Sequence, residues 1–105
     1  MNFYTVQITA TAEKDLRNIF DYYLYELQER ELGLSIIADI SESVLGLEQF
    51  PYKSPILQEE EFASKEYRKL IIHNFLVFYI VSEEKKQVYV IRLLYGKRNW
   101  IELLK

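Results

Sequence analysis

The stretch Tyr67-Arg68-Lys69-Leu70-Ile71-Ile72-His73-Asn74-Phe75-Leu76-Val77-Phe78-Tyr79-Ile80-Val81 decides the fold. Phe75 to Ser82 is a near-continuous apolar run of strand length, which predicts a central strand. Glu66 to Ile72 predicts the strand before it. His73-Asn74 predicts a tight turn between them, since Asn tolerates left-handed backbone geometry. Working outward toward the C-terminus, Glu83 to Lys86 is a charged hairpin tip and Gln87 to Tyr95 a further strand. Gly96 closes that strand, and Arg98 to Leu104 has room for a last helical turn or two. Strands joined by turns this short must be antiparallel neighbours.

Toward the N-terminus the pattern changes from strand to helix. Phe3 to Ile8, rich in β-branched and aromatic residues, predicts a first strand. Thr11 is placed to cap a helix whose first turn carries Glu13 and Asp15, where negative charge suits the free N–H groups. Ala12, Leu16, Ile19, Phe20, Tyr23, Leu24 and Leu27 recur at three- and four-residue spacing, one face of an amphipathic helix. Gly33 breaks that pattern. A second helix follows with Ile36, Ile37, Ile40, Val44 and Leu47 on one face, and Pro51 marks its end. The short link predicts an antiparallel helical hairpin. Pro51 to Ser64 reads as a loop. The order β-α-α-β-β-β predicts an α+β domain over residues 1–105, with a helical hairpin on one face of a meander. The pattern does not say where the first strand inserts.

Composition excludes much chemistry. The 105 residues contain no cysteine, three glycines and one histidine, so disulfides, Cys-ligated zinc, a Cys nucleophile and a phosphate-cradling glycine loop are ruled out. No metal or cofactor is expected. His73, in a turn, is a poor member of any triad, and Glu59 to Glu61 reads as solvated charge. Met1 to Ala10 alternates polar and apolar residues, unlike a secretory signal, and no apolar run approaches the ~20 residues that span a bilayer. The expected setting is the cytoplasm, without a membrane partner.

Net charge is −3, but it is unevenly placed. Glu13 to Glu48 holds three basic against nine acidic residues, whereas Phe62 to Lys105 holds nine basic against four acidic. The cations of the second half form the one candidate constellation: Arg68, Lys69, Arg92, Lys97 and Arg98, with Trp100 beside them. Arg92 interrupts an apolar strand, where a guanidinium is costly unless paired or marginal. Meander geometry can bring Arg68 and the segment Arg92 to Arg98 to one end of the sheet. Two readings stay open. The group is an anion-binding patch for phosphate or acidic side chains, or Arg68 and Arg92 pair with carboxylates of the helical half, such as Glu26 or Asp39. Arg98, at a strand end beside a glycine, looks the most functional.

The Tyr67 to Val81 hairpin resembles the central hairpin of toxins of the RelE/ParE superfamily. Val90 to Asn99 (Val-Ile-Arg-Leu-Leu-Tyr-Gly-Lys-Arg-Asn) resembles that family's last strand and tail, and the helical hairpin ending in Phe50-Pro51 also matches. The resemblance implies a four-stranded antiparallel sheet packed on two helices. It also implies a toxin held inactive by an antitoxin lying against sheet and helices. Two activities exist in the family: ribosome-dependent cleavage of mRNA without a metal, and inhibition of DNA gyrase without cleavage. The nuclease type carries an arginine where this chain has Leu76, another matching Arg98, and a tyrosine or histidine about where Leu104 stands. One of three is retained, which favours the ParE-like, non-nuclease type. Were the chain a nuclease, Arg98, Arg68 and Tyr95 would be its candidate catalytic residues.

Overall fold

The computed structural model describes residues 3–105. Strand β1 (Thr5–Ile8) leads into helix α1 (Ala10–Asp21), which runs on as a π-helical turn, Tyr22–Glu26. Helix α2 (Arg30–Leu45) ends in a 3-10 turn, Gly46–Glu48. After a long connection come β2 (Arg68–Ile72), β3 (Phe75–Ser82), β4 (Gln87–Tyr95) and the short helix α3 (Trp100–Leu104). The order β-α-α-β-β-β holds. The sheet is mixed, not antiparallel throughout: strand order is β1-β4-β3-β2, with β1 parallel to β4 and the other pairs antiparallel. The reason is the connection. A helical hairpin carries the chain from β1 across one face, and the short β2–β3 and β3–β4 turns leave the far edge, beside β4, as the place for β1.

Several local expectations shift for identifiable reasons. The N-cap of α1 is Thr9 rather than Thr11. Its hydroxyl accepts from the Ala12 N–H (3.2 Å) and donates to the Val90 carbonyl (2.8 Å), so one residue ends the strand and starts the helix. Gly33 lies inside α2 instead of breaking it, because the helix there crosses the π-helical turn at close range. A Cβ on Gly33 would stand 2.8 Å from the Tyr23 Cβ. The link between the helices carries Gln28 at φ 53°. The π turn adds a residue to the helical repeat, with Leu27 N–H bonding the Tyr22 carbonyl (3.0 Å), and so Leu27 leaves the buried face. Pro51 does not end α2. The helix stops at Leu45, Leu47 buries itself, and Pro51 follows with its carbonyl accepting from the buried Tyr79 hydroxyl (2.8 Å). In the β2–β3 turn, His73 rather than Asn74 takes the left-handed conformation, at φ 54°.

The sheet is covered on both faces. On one, α1 and α2 lay Ala12, Ile36, Ile40 and Val44 over Val77, Tyr79, Val88 and Val90. On the other, the 51–66 connection and α3 close Leu57, Phe62, Trp100 and Leu104 over Leu76, Phe78 and Leu94. This is why Phe75 to Tyr79 are buried without the alternation of a one-sided strand. The extra residue Ile91 on β4, opposite the Phe78/Tyr79 step, makes a bulge just where β1 ends. Among the described residues no helix is long and apolar enough to cross a membrane.

Gly33→Ala is expected to destabilise the chain by about 1–3 kcal/mol despite alanine's better helix propensity, because the new methyl meets a Cβ that cannot swing away. Chemical denaturation of the two proteins measures it.

Candidate functional site

The fold separates the cations that the sequence places together. Register pairs Arg68 with Tyr79, opposite Val90, whereas Ile72 pairs with Phe75, opposite Tyr95. Four residue steps along β2 and β3, about 13 Å at ~3.3 Å each, therefore separate the level of Arg68 from the end of β4, beyond which Lys97 and Arg98 sit. They do not share one end of the sheet. Arg68 donates to the Ser54 carbonyl (2.6 Å) and lies over the Tyr52 ring (4.9 Å). Lys69 lies over the Trp100 ring (5.0 Å), on the face that α3 covers.

Arg92 is engaged internally. At the bulge its Nε and one terminal nitrogen donate to the two Asp15 oxygens (2.8 and 3.0 Å), and the other terminal nitrogen donates to the Leu103 carbonyl (3.0 Å). The Leu93 N–H donates to the same carboxylate (3.0 Å). Hydrogen bonding to Asp15 raises the Arg92 pKa still further above its usual value. The expected carboxylate partner was Glu26 or Asp39; it is Asp15, and Asp39 instead meets the His73 Nε2 (2.6 Å).

Arg98 is different. It is exposed and makes no ion pair with any described residue. It stands at the rim of a cleft of about 480 Å³ between the C-terminal part of α1, the π-helical turn and the ends of β3 and β4. Ile19, Tyr22, Tyr23 and Leu27 form one wall and Phe75, Leu93 and Tyr95 the other, with Asn18 and Asn74 adding amides. Burial, then the neighbouring Tyr95 and Tyr22 hydroxyls, push the Tyr23 phenol up. Gly96 allows β4 to close against the β2–β3 turn. Its N–H donates to the Asn74 carbonyl (2.7 Å), and a Cβ would come within 3.1 Å of that oxygen. The cleft can take an apolar side chain on its walls and an anion at its rim. Arg98 and Tyr95, both named from the sequence (Tyr95 only on the nuclease reading), line this cleft. Asn18, Tyr22 and Tyr23 were not named, because on a helix they read as exposed and core positions, and only the π turn opens a cleft between them and β4.

A second cluster sits at the other end. Glu83, on the β3–β4 tip, accepts from the hydroxyls of Tyr4 and Tyr52 and from Lys86, which also lies over the Tyr4 ring. Lys86, then Tyr52 and Tyr4, lower the Glu83 pKa from 4.5 to about 2, and the carboxylate pushes the Tyr52 phenol well up. A carboxylate that weakly basic and a phenol that weakly acidic suit neither half of acid–base catalysis at neutral pH. The cluster reads as a latch joining the start of β1, the hairpin tip and the connection after α2.

Of the nuclease positions named by the resemblance, Leu76 and Leu104 are both buried, in the same apolar cluster beneath α3. The face to which the resemblance assigns those two positions is closed by packing.

Asp15→Ala is expected to cost about 2–3 kcal/mol, since it strands a largely covered guanidinium and an N–H together. Arg98→Ala is expected to stay within about 0.5 kcal/mol of the parent. Paired denaturation curves separate the two roles. Because the Glu83 pKa is depressed on folding, its stabilising effect is complete above pH 4.5 and fades as pH falls toward about 2. Glu83→Gln should lower the denaturation midpoint at pH 7 and flatten its decline through that acid window.

Comparison with known proteins bears on the same geometry. The family model for the ParE toxin of the type II toxin–antitoxin system parDE matches residues 6–100. No curated protein sequence matches. Among solved structures, the chromosomal ParDE toxin–antitoxin system from P. aeruginosa superposes with a TM-score of 0.73 at 24% identity, over 90% of this chain and 98% of that one. The toxin–antitoxin complex RelBE2 from Mycobacterium tuberculosis gives 0.68 at 23% identity, over 90% and 93%. At such identities the superpositions speak for the fold, and the match over residues 6–100 speaks for the family: the chain belongs to the ParE toxins of type II toxin–antitoxin systems.

Proposed function

We propose that the chain inhibits growth by binding a macromolecular target, with DNA gyrase the first to test, and that a cognate antitoxin silences it by occupying the cleft rimmed by Arg98. The observation that carries this reading is the contrast between the arginines. Arg92 is held by Asp15, while Arg98 is exposed beside an apolar cleft. That combination fits a protein segment presenting an apolar side chain with a carboxylate nearby, and an unpaired guanidinium gains most from a planar anion. Arg98 and Lys97 are the contact residues under this reading. Arg68, Lys69 and Trp100 are engaged elsewhere on the chain and contribute less.

Binding rather than cleavage is favoured by the buried Leu76 and Leu104. A missing charge stabiliser and a missing acid would each cost a factor of about 10² or more in rate. The RelE-like alternative, ribosome-dependent cleavage of mRNA, draws on the likeness to the RelBE2 complex and on the retained Arg98.

Regulated expression of the chain alone should arrest growth and reduce negative supercoiling of plasmid DNA, and Arg98→Glu should weaken the arrest without unfolding the protein. Cleavage of mRNA in a translating extract, lost in Arg98→Ala, would replace this reading with the nuclease one. Normal growth beside tight antitoxin binding would leave a toxin that has lost its target.

A further inference from the structure

The sheet has two edges, and they are built differently. The outer edge of β2 carries Arg68 and Lys69, and its start is bridged by Ile56. Charge and cover of this kind keep an edge from pairing with another strand. The outer edge of β1 is covered only at its start, where the Tyr4 N–H donates to the Glu48 carbonyl (2.9 Å); from Val6 to Ile8 it carries no charge. Thr5 to Ala12 contains no charge, no proline and no glycine, in a chain that is 28% charged. The Thr5 and Thr9 N–H groups bond to the carbonyls of Lys86 and Val90. By the period of two along a strand, the N–H and C=O groups of Val6 and Ile8 therefore point outward.

Beside this edge, on the helical face, lies an apolar groove of about 230 Å³ lined by Val6, Leu16, Ile40, Val44 and, at its lip, Ile8 and Leu45. Ile8 and Leu45 are 48% and 57% exposed. A hollow and the apolar knobs that could fill it thus sit side by side, next to the outward backbone groups of Val6 and Ile8.

We infer that β1 pairs with β1 of a second copy of this chain, forming an antiparallel, two-fold dimer with a continuous eight-stranded sheet. The two-fold axis passes at Gln7. Val6 and Ile8 of each copy then exchange hydrogen bonds with Ile8 and Val6 of the other. With the axis normal to the sheet, both helical hairpins lie on the same face, so Ile8 and Leu45 of each copy approach the groove of the other. An occupant must match an edge and lip without charge, and this chain's own β1 surface does so while meeting the self-complementarity a two-fold contact demands. The contact is small, so dissociation in the range of about 10–1,000 µM is expected. It lies away from the Arg98 cleft and does not depend on the function proposed for that cleft.

The chain has no cysteine, which makes the test direct. Across the axis the two Gln7 residues form a non-hydrogen-bonded pair with Cα atoms about 4.5 Å apart, within disulfide reach. Gln7→Cys should oxidise to a covalent dimer at least about tenfold faster than Glu60→Cys, whose thiol is exposed on the connection over the other face. Sedimentation of the unmodified chain should show concentration-dependent dimers, and Ile8→Lys and Leu45→Lys should each weaken them by about tenfold or more. Leu45 is exposed on a helix, so its variant keeps the test alive if the β1 variant misfolds; circular dichroism checks both. A monomer across that range, equal oxidation of the two cysteine variants, or a dimer indifferent to Leu45→Lys would each overturn the proposal.

Discussion

The end of the molecule that holds the Arg98 cleft depends on the carboxylate of Asp15. Strand β1 is four residues long and β4 is nine, so β4 outruns its neighbour and leaves a bare edge from the bulge onward. Asp15 meets that edge from α1. It accepts from the Leu93 N–H and from two nitrogens of Arg92, while the third nitrogen of that guanidinium reaches the Leu103 carbonyl in α3. One carboxylate thereby ties the first helix to the last strand and, through Arg92, to the last helix. Few groups can satisfy an edge N–H and a guanidinium at once; an ionised carboxylate, with two oxygens and about four acceptor sites, can. Arg92 is thus a framework residue, and its fixation leaves Arg98 as the cation of the cleft.

The second consequence of the architecture is that neither face of the sheet is free. A meander with a helical hairpin needs only one cover, yet here the 51–66 connection and α3 place Phe62 and Trp100 against Phe78 on the other side, with ring centroids 5.2 Å apart for Trp100 and Phe78. In this chain that face is given to packing, with Leu76 and Leu104 buried beneath the cover. The cleft rimmed by Arg98 opens instead between the π-helical turn and the end of β4. A π turn is a costly local feature, and such turns recur where a helix must present side chains out of its regular repeat.

Much of this was readable from the residues. β3 and β4 fall where apolar runs and turn residues put them, and the β-α-α-β-β-β order follows from the change in hydrophobic period, because that period is a local property of the chain. Arg98 stood out by local means too, as a cation beside a glycine at a strand end. What misled was chemistry with more than one local outcome. Gly33 could break a helix or admit a close crossing, and only the position of Tyr23 decides. Thr9 and Thr11 are equally able caps, and the choice fell to the one that also reaches the Val90 carbonyl. The separation of Arg68 from Arg98 along the sheet needed strand register, which spacing along the chain does not carry.

The sequence by itself determined the element order, the central strand, the two-helix unit and the polar excess of cations in the last part of the chain. These depend on side-chain period and on turn chemistry within a few residues. The tertiary structure alone decided that β1 lies parallel to β4, that Asp15 is the partner of Arg92 across 77 positions of sequence, and that a cleft opens beside Arg98. Each of these is a meeting of segments distant along the chain, and such meetings are set by which edges and faces remain uncovered once the local elements have formed.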